Sequence, residues 1–190
     1  MSQVSVYPEF LSFIKQTHAL GQVAGLLSWD QETMMPINGA AARAEQSAAL
    51  ETVLHQRRTD PRLGDWLNSL ERESLTPAAQ VNIDRTQRSY RRMQKIPSRL
   101  AEELARVTSI AQQNRAAARN NEYFAQFEPD LQQIVSLKRE EAAHLQEEGQ
   151  SLYDCLLDDF EPGMTIDRLE PLLEGLRPQL TSLREKIANS

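Results

Sequence analysis

From Ile166 to Ile187 the apolar residues Ile166, Leu169, Leu172, Leu173, Leu176, Leu180, Leu183 and Ile187 follow one another at steps of 3, 3, 1, 3, 4, 3 and 4. That spacing collects them on one side of an α-helix but scatters them over both faces of a strand. The same period recurs along nearly the whole chain, and no stretch alternates with period two. A chain patterned this way builds its core by laying helix against helix. Composition agrees: only 7 of the 190 residues are Gly, while Ala, Leu, Gln, Glu and Arg, which lose little freedom in a helix, are abundant. The expected fold class is all-α, a multi-helix array of about seven helices, with residues 1–190 forming a single helical region.

Local punctuation divides the array. Phe10, Phe13, Ile14, Leu20, Val23, Ala24 and Leu27 predict a first helix from about Pro8 to Leu27, with Gly21 and Gly25 offering close approach to a neighbour. Pro36 and Asn38-Gly39 mark 28–38 as a loop. A second, Ala-rich helix follows over Gly39–Arg58. Asp60-Pro61 and Thr76-Pro77 pair an N-cap residue with proline at the first helical position, opening a third and a fourth helix, the latter reaching about Lys95. Pro97-Ser98 opens a fifth, with Leu100, Leu104, Val107 and Ala111 as its buried seam. A sixth is expected over Glu122–Glu148, interrupted at Pro129 and capped by Gly149. After a short turn or helix over 151–160, the last helix starts near Thr165 and Asp167. Its stripe must pack on earlier helices or on something this chain lacks.

Charge and cysteine content narrow the function. With 21 Lys and Arg against 27 Asp and Glu the net charge is −6, which argues against a nucleic-acid partner. One cysteine, Cys155, rules out an internal disulfide, and its leucine neighbours predict a buried thiol; a reducing, cytoplasmic location is expected. No apolar run approaches the ~20 residues that span a bilayer, so no membrane partner is expected.

Catalytic motifs are scarce. His18, His55 and His144 are the only histidines, and His-Glu-x-x-His, Gly-x-Ser-x-Gly and the phosphate-binding P-loop are all missing. Glu141 and His144 match the (i, i+3) spacing of helical di-metal sites, and Glu51 and His55 share a face at (i, i+4), but a second unit of the right spacing is lacking. The plainer reading is a solvated acidic face. Arg85, Arg88 and Arg92 share a helix face and, with Arg91, suit either an anion site or a solvated surface paired with the excess acid. Two polar-aromatic clusters remain. Ser28-Trp29-Asp30-Gln31-Glu32-Thr33-Met34-Met35-Pro36 either lines a cleft or anchors a turn through Trp29 and the Met pair, with Asp30 capping backbone amides. Leu152 to Gly163 carries Asp154, Asp158, Asp159 and Glu161 without the spacing of a calcium loop, so capping of the next helix is the better account.

These two clusters carry a resemblance. Leu27-Ser28-Trp29-Asp30-Gln31-Glu32-Thr33-Met34-Met35-Pro36, then Gly39-Ala40 and Arg43-Ala44-Glu45-Gln46, resembles the N-terminal signature of the carboxypeptidase Taq family. Thr59-Asp60-Pro61-Arg62-Leu63-Gly64, the stretch from Phe124 to Leu137 with Arg139-Glu140, and Leu152-Tyr153-Asp154 through Phe160-Glu161-Pro162-Gly163-Met164 resemble its later segments in the same order. One departure is Gln113-Asn114-Arg115, where the family often places a Trp.

The resemblance implies an all-helical, zinc-dependent (or other divalent metal) carboxypeptidase that releases C-terminal residues from peptides. Its catalytic portion, with the His-Glu-x-x-His helix, is not matched by any position here. The expectations follow. This chain holds no catalytic residue, no metal ligand and no cofactor. It is an N-terminal portion that forms a wall or lid of the substrate groove, inactive alone. Its partners are the peptide substrate, the missing C-terminal catalytic portion and, as in many family members, a second copy in a homodimer. The residues expected to line the groove or carry the signature are Trp29, Asp30, Gln31, Glu32, Met35, Tyr153, Asp154, Asp158 and Asp159. The alternative is a stand-alone, non-catalytic helical interaction module.

Overall fold

A computed structural model describes residues 5–70 and 75–189. Every regular element among them is helical: α1 (Tyr7–Thr33), α2 (Ala40–Arg58), α3 (Pro61–Leu70), α4 (Pro77–Lys95), α5 (Ser98–Asn120), α6 (Glu128–Leu145), α7 (Leu152–Leu157) and α8 (Ile166–Ala188). Single turns of 3-10 helix precede α2 and α6. The chain divides into two compact units, residues 1–141 and 142–190.

The proline-led starts are where cap chemistry puts them. The Thr76 side chain accepts a hydrogen bond from the Ala79 amide, and Asp60 Oδ1 accepts one from the Arg62 amide at 2.9 Å. In the first unit, α2 and α5 make the most extensive helix pair. Ala44 and Ala48 let the axes approach, and Leu100, Leu104, Val107 and Ala111 supply the buried seam expected of α5. A second core gathers Phe10 and Phe13 of α1, Leu63, Leu67 and Leu70 of α3 and Ile83 of α4. Phe13 meets Trp66 edge-on at 5.5 Å, with the Arg57 guanidinium 4.1 Å above its ring. Buried His55 fastens the end of α2 by donating from Nε2 to the Ile96 carbonyl at 2.7 Å.

Several expectations need correction. Residues 28–33 are not loop but the last two turns of α1, because nothing in Ser28-Trp29-Asp30-Gln31-Glu32-Thr33 breaks a helix and the first proline is Pro36. Gly21 and Gly25 do not mark close helix approach, since a Cβ at either would meet nothing within 4 Å. Pro129 does not interrupt a helix. It sits in the first turn of α6, which begins at Glu128 rather than Glu122, because proline costs no hydrogen bond there. Gly149, at φ +79°, serves a turn beyond the end of α6 rather than its cap.

In the second unit, Ser151 caps α7 by accepting from the Asp154 amide. Cys155 is buried, as its leucine neighbours predict. The stripe of α8 is not buried: Leu172, Leu176, Leu180 and Leu183 each keep about half of their surface, and no described residue of this helix is buried. No helix among the described residues is long and apolar enough to cross a membrane.

Candidate functional site

The extra turns of α1 decide what the first cluster does. Continued as helix, residues 27, 30 and 31 face α2 and α5, while Trp29 turns outward. Trp29 is 57% exposed and Met34 71% exposed, so they do not anchor a turn in the core. Nor does Asp30 cap backbone amides: its carboxylate pairs with Arg43 of α2, which also donates to the Leu27 carbonyl. Gln31 and Ser109 of α5 exchange two hydrogen bonds. Gln31 Nε2 donates to the Ser109 carbonyl at 2.6 Å, and Ser109 Oγ donates to Gln31 Oε1 at 2.9 Å. Glu32 Oε1 accepts from Gln112 Nε2 at 2.8 Å, and Gln113 Nε2 donates to the Ile37 carbonyl.

Gln31, Glu32 and Met35 therefore meet in one recess of about 320 Å³, closed on its far side by Gln112, Gln113 and Arg115 of α5. A second recess of about 310 Å³ lies between α1, α2 and α5, with Gln31 and Gln112 shared between the two. Its one ionisable lining group is Glu51. Burial holds the Glu51 carboxyl above its ordinary value, against the opposing pull of Arg58, whose Nη1 lies 3.0 Å away. Carboxamides, hydroxyls and one carboxyl make a lining rich in hydrogen-bonding groups.

The second cluster is built differently. Asp154 is buried and its Oδ1 accepts from the Ile166 amide at 2.8 Å, capping α8. That bond, followed by the Ser151 hydroxyl, holds its carboxyl below the usual range. Asp158 Oδ1 accepts from the Gly163 amide at 2.9 Å, where φ is +79°. Tyr153 and Asp159 are exposed.

Among the described residues the candidate metal donors are engaged elsewhere or stand apart. His55 is committed to the Ile96 carbonyl, Glu51 faces Arg58, and Glu141 Oε2 accepts from Lys138 Nζ at 2.6 Å. His18 and His144 are exposed, and among the described residues no three His, Cys, Asp or Glu side chains converge.

Sequence reasoning missed the α5 side of the recess. Ser109, Gln112 and Gln113 lie about 80 positions from their partners, with no local signal to link them. Arg43 was visible only as part of the signature. Arg106, which spans from α5 to Glu45 of α2 at 2.9 Å while bonding Glu102 and Glu103 of its own helix, had no signal beyond helical charge spacing.

The family model for Carboxypeptidase Taq (M32) metallopeptidase matches residues 9–190. The chain belongs to the carboxypeptidase Taq family. It is 37% identical over 203 residues to thermostable carboxypeptidase 1 of Thermus thermophilus, a match covering 100% of this chain and 40% of that protein. To thermostable carboxypeptidase 1 of Pyrococcus furiosus it is 28% identical, covering 94% of this chain and 36% of the relative. The crystal structure of BsuCP superposes with a TM-score of 0.88 at 25% identity, covering 97% of this chain and 37% of that one. Trypanosoma cruzi metallocarboxypeptidase 1 gives a TM-score of 0.76 at 27% identity, over 96% and 37%. The chain thus spans about 40% or less of the length of these relatives.

Proposed function

We propose that these 190 residues are the N-terminal helical portion of a metal-dependent carboxypeptidase that releases C-terminal residues from peptides, and that they form a wall or lid of its substrate groove. The observation carrying this reading is the family match over 9–190 in a sequence that contains no His-Glu-x-x-His. The metal, zinc in this reading, is held by residues outside this sequence. The chain's contribution is to bind and orient peptide, through the carboxamide-lined recess at Gln31, Glu32 and Met35. In the first unit Trp29 adds an exposed side chain and Asp30 holds the local shape; in the second, taken by itself, Tyr153 and Asp159 are exposed and Asp154 and Asp158 hold the turn. The buried thiol of Cys155, in no disulfide, suits a cytoplasmic location, and a homodimer is the proposed assembly.

The test has two parts. The purified 190-residue chain is expected to hold no stoichiometric zinc and to release no C-terminal residue from a chromogenic peptide. Chelator-sensitive cleavage by the chain would refute this. In a longer family enzyme carrying this segment, Gln31→Ala with Glu32→Ala is expected to raise KM severalfold with kcat retained. An unchanged KM would remove the wall reading. The exposed apolar side of α8 favours one other reading, a non-catalytic helical interaction module.

A further inference from the structure

The arginine-bearing face of α4 lies outside the recess at Gln31, and part of it lines a different cleft. Residues of α1 at spacing 14, 17, 18, 21 and 22 form one wall, a single helix face by register. Arg85, Thr86, Ser89 and Tyr90 of α4 form the other, and Arg58 and Leu63 close the corner where α2 passes into α3. The cleft, open to solvent, has a volume of about 410 Å³.

The chemistry of this lining is one-sided. Arg58, Arg85 and His18 contribute every ionisable side chain apart from the Tyr90 phenol, and no carboxylate lines the cleft, although the chain as a whole carries a charge of −6. Arg58 gives one guanidinium nitrogen to Glu51, which stands outside the lining; Arg85 projects from the exposed side of α4. The Ser89 hydroxyl and the Gln22 amide add neutral hydrogen-bonding groups, while the Thr17 and Thr86 hydroxyls donate to the Phe13 and Asn82 carbonyls of their own helices. Ile14, Leu63 and the Tyr90 ring supply an apolar wall. The Tyr90 ring sits close over α3, where a Cβ on Gly64 would come within 2.9 Å of the Tyr90 hydroxyl oxygen; glycine leaves the ring its place. At Gly21, on the opposite wall, a Cβ would meet nothing within 4 Å, so the missing side chain keeps the cleft open.

We propose that this cleft binds a small organic oxyanion with an apolar tail. The charged head lies between the Arg58 and Arg85 guanidiniums, whose planar forks suit carboxylate or phosphate oxygens, and the tail lies against Ile14, Leu63 and Tyr90. Neither head chemistry requires the peptidase reading, and the site stands or falls without it.

Hydrocinnamate, phenyl phosphate and the neutral hydrocinnamamide are the probes, titrated into the isotopically labelled 190-residue chain and followed by amide and arginine Nε–H resonances. At least one anion is expected to give saturable shifts confined to the walls of the cleft, with affinity in the millimolar range or tighter, and the tighter of the two identifies the head group. The amide is expected to bind at least tenfold more weakly. Arg85→Gln should weaken the anion about tenfold, the scale of one charge-assisted hydrogen bond, and added salt should weaken it further. Gly21→Leu places a helix-favouring side chain in the empty space and should abolish binding while the thermal midpoint holds or rises. Equal binding of the amide, undiminished binding by Gly21→Leu, or no shift with either anion would overturn the proposal.

Discussion

The pair between Asp30 and Arg43 offers a quantitative test of how the signature segment is held. Arg43 Nη2 stands 2.5 Å from Asp30 Oδ2, and the two side chains are 11% and 36% exposed. Two unit charges about 4 Å apart gain about 4 kcal/mol at an effective dielectric near 20, whereas solvent-exposed pairs measure about 0.2–1 kcal/mol. With Arg43 nearly covered and Asp30 a third open, a coupling of about 1–2 kcal/mol is expected between these limits. Asp30→Ala should cost more than this coupling, since it leaves the Arg43 charge covered and without its carboxylate. The assay is a double-mutant cycle of Asp30→Ala and Arg43→Met in urea, followed by helical circular dichroism. In thermal melts the coupling corresponds to about 2–8 °C for a chain of this size. Raising the salt to about 1 M, where the Debye length is ~3 Å, should remove less than half of it, because covered pairs are screened least. A coupling under about 0.3 kcal/mol, or one that vanishes in salt, would show that Asp30 and Arg43 act as an ordinary surface pair and refute the argument from burial.

Three further outcomes follow from the same structure. Leu67, 2% exposed in the core of α1, α3 and α4, should cost about 2–5 kcal/mol when changed to Ala, read as a lower urea midpoint; a loss under about 1 kcal/mol would mean that core is loosely packed. Asp154 is held below its ordinary 3.8 by the Ile166 amide, so its contribution to stability is present above that pH and disappears as pH falls through the folded value. An acid titration of Asp154→Asn should therefore close on the wild type as pH falls, and a gap that stays constant would refute the capping role. Glu51 runs the other way: its carboxyl is raised above 4.5 chiefly by burial, so the folded state loses stability as pH rises from there through the folded value. Unfolding curves of Glu51→Gln should improve relative to wild type over that rise; a mutant that loses ground would mean the Arg58 pair outweighs burial.

Where residues act on their own neighbours, the sequence is a good guide. Thr76-Pro77, Asp60-Pro61 and Pro97-Ser98 open α4, α3 and α5 because capping and the missing proline N–H operate within one turn. Asp154 caps the next helix across twelve residues, so composition suggests the role but local spacing does not name the Ile166 amide as its partner. Pro36 and Asn38-Gly39 signal a break but not where the helix before them ends, so α1 runs on to Thr33, close to the first true obstacle at Pro36. The recess was half legible. Gln31, Glu32 and Met35 lie in one short run, but their α5 partners are set by the packing of α5 on α1 and α2, which periodicity does not register. Arg85 shows the same division: its helix face is readable from spacing, and its companions Arg58 and His18 are not.

The exposure of α8 has a consequence for the energetics of the chain. Twenty-three residues of helix that bury no side chain rest on their own backbone bonds, and Pro171 and Pro178 each oppose an interior helical turn by about 3 kcal/mol relative to Ala. Most helices in proteins draw their stability from the face they bury. In the isolated chain α8 is therefore expected to behave as a helix–coil equilibrium. Its amide hydrogens should exchange with deuterium orders of magnitude faster than those of α2 and α5, which open only with the global unfolding of their core. Any molecule that covers the leucine stripe will be read first as a slowing of that exchange.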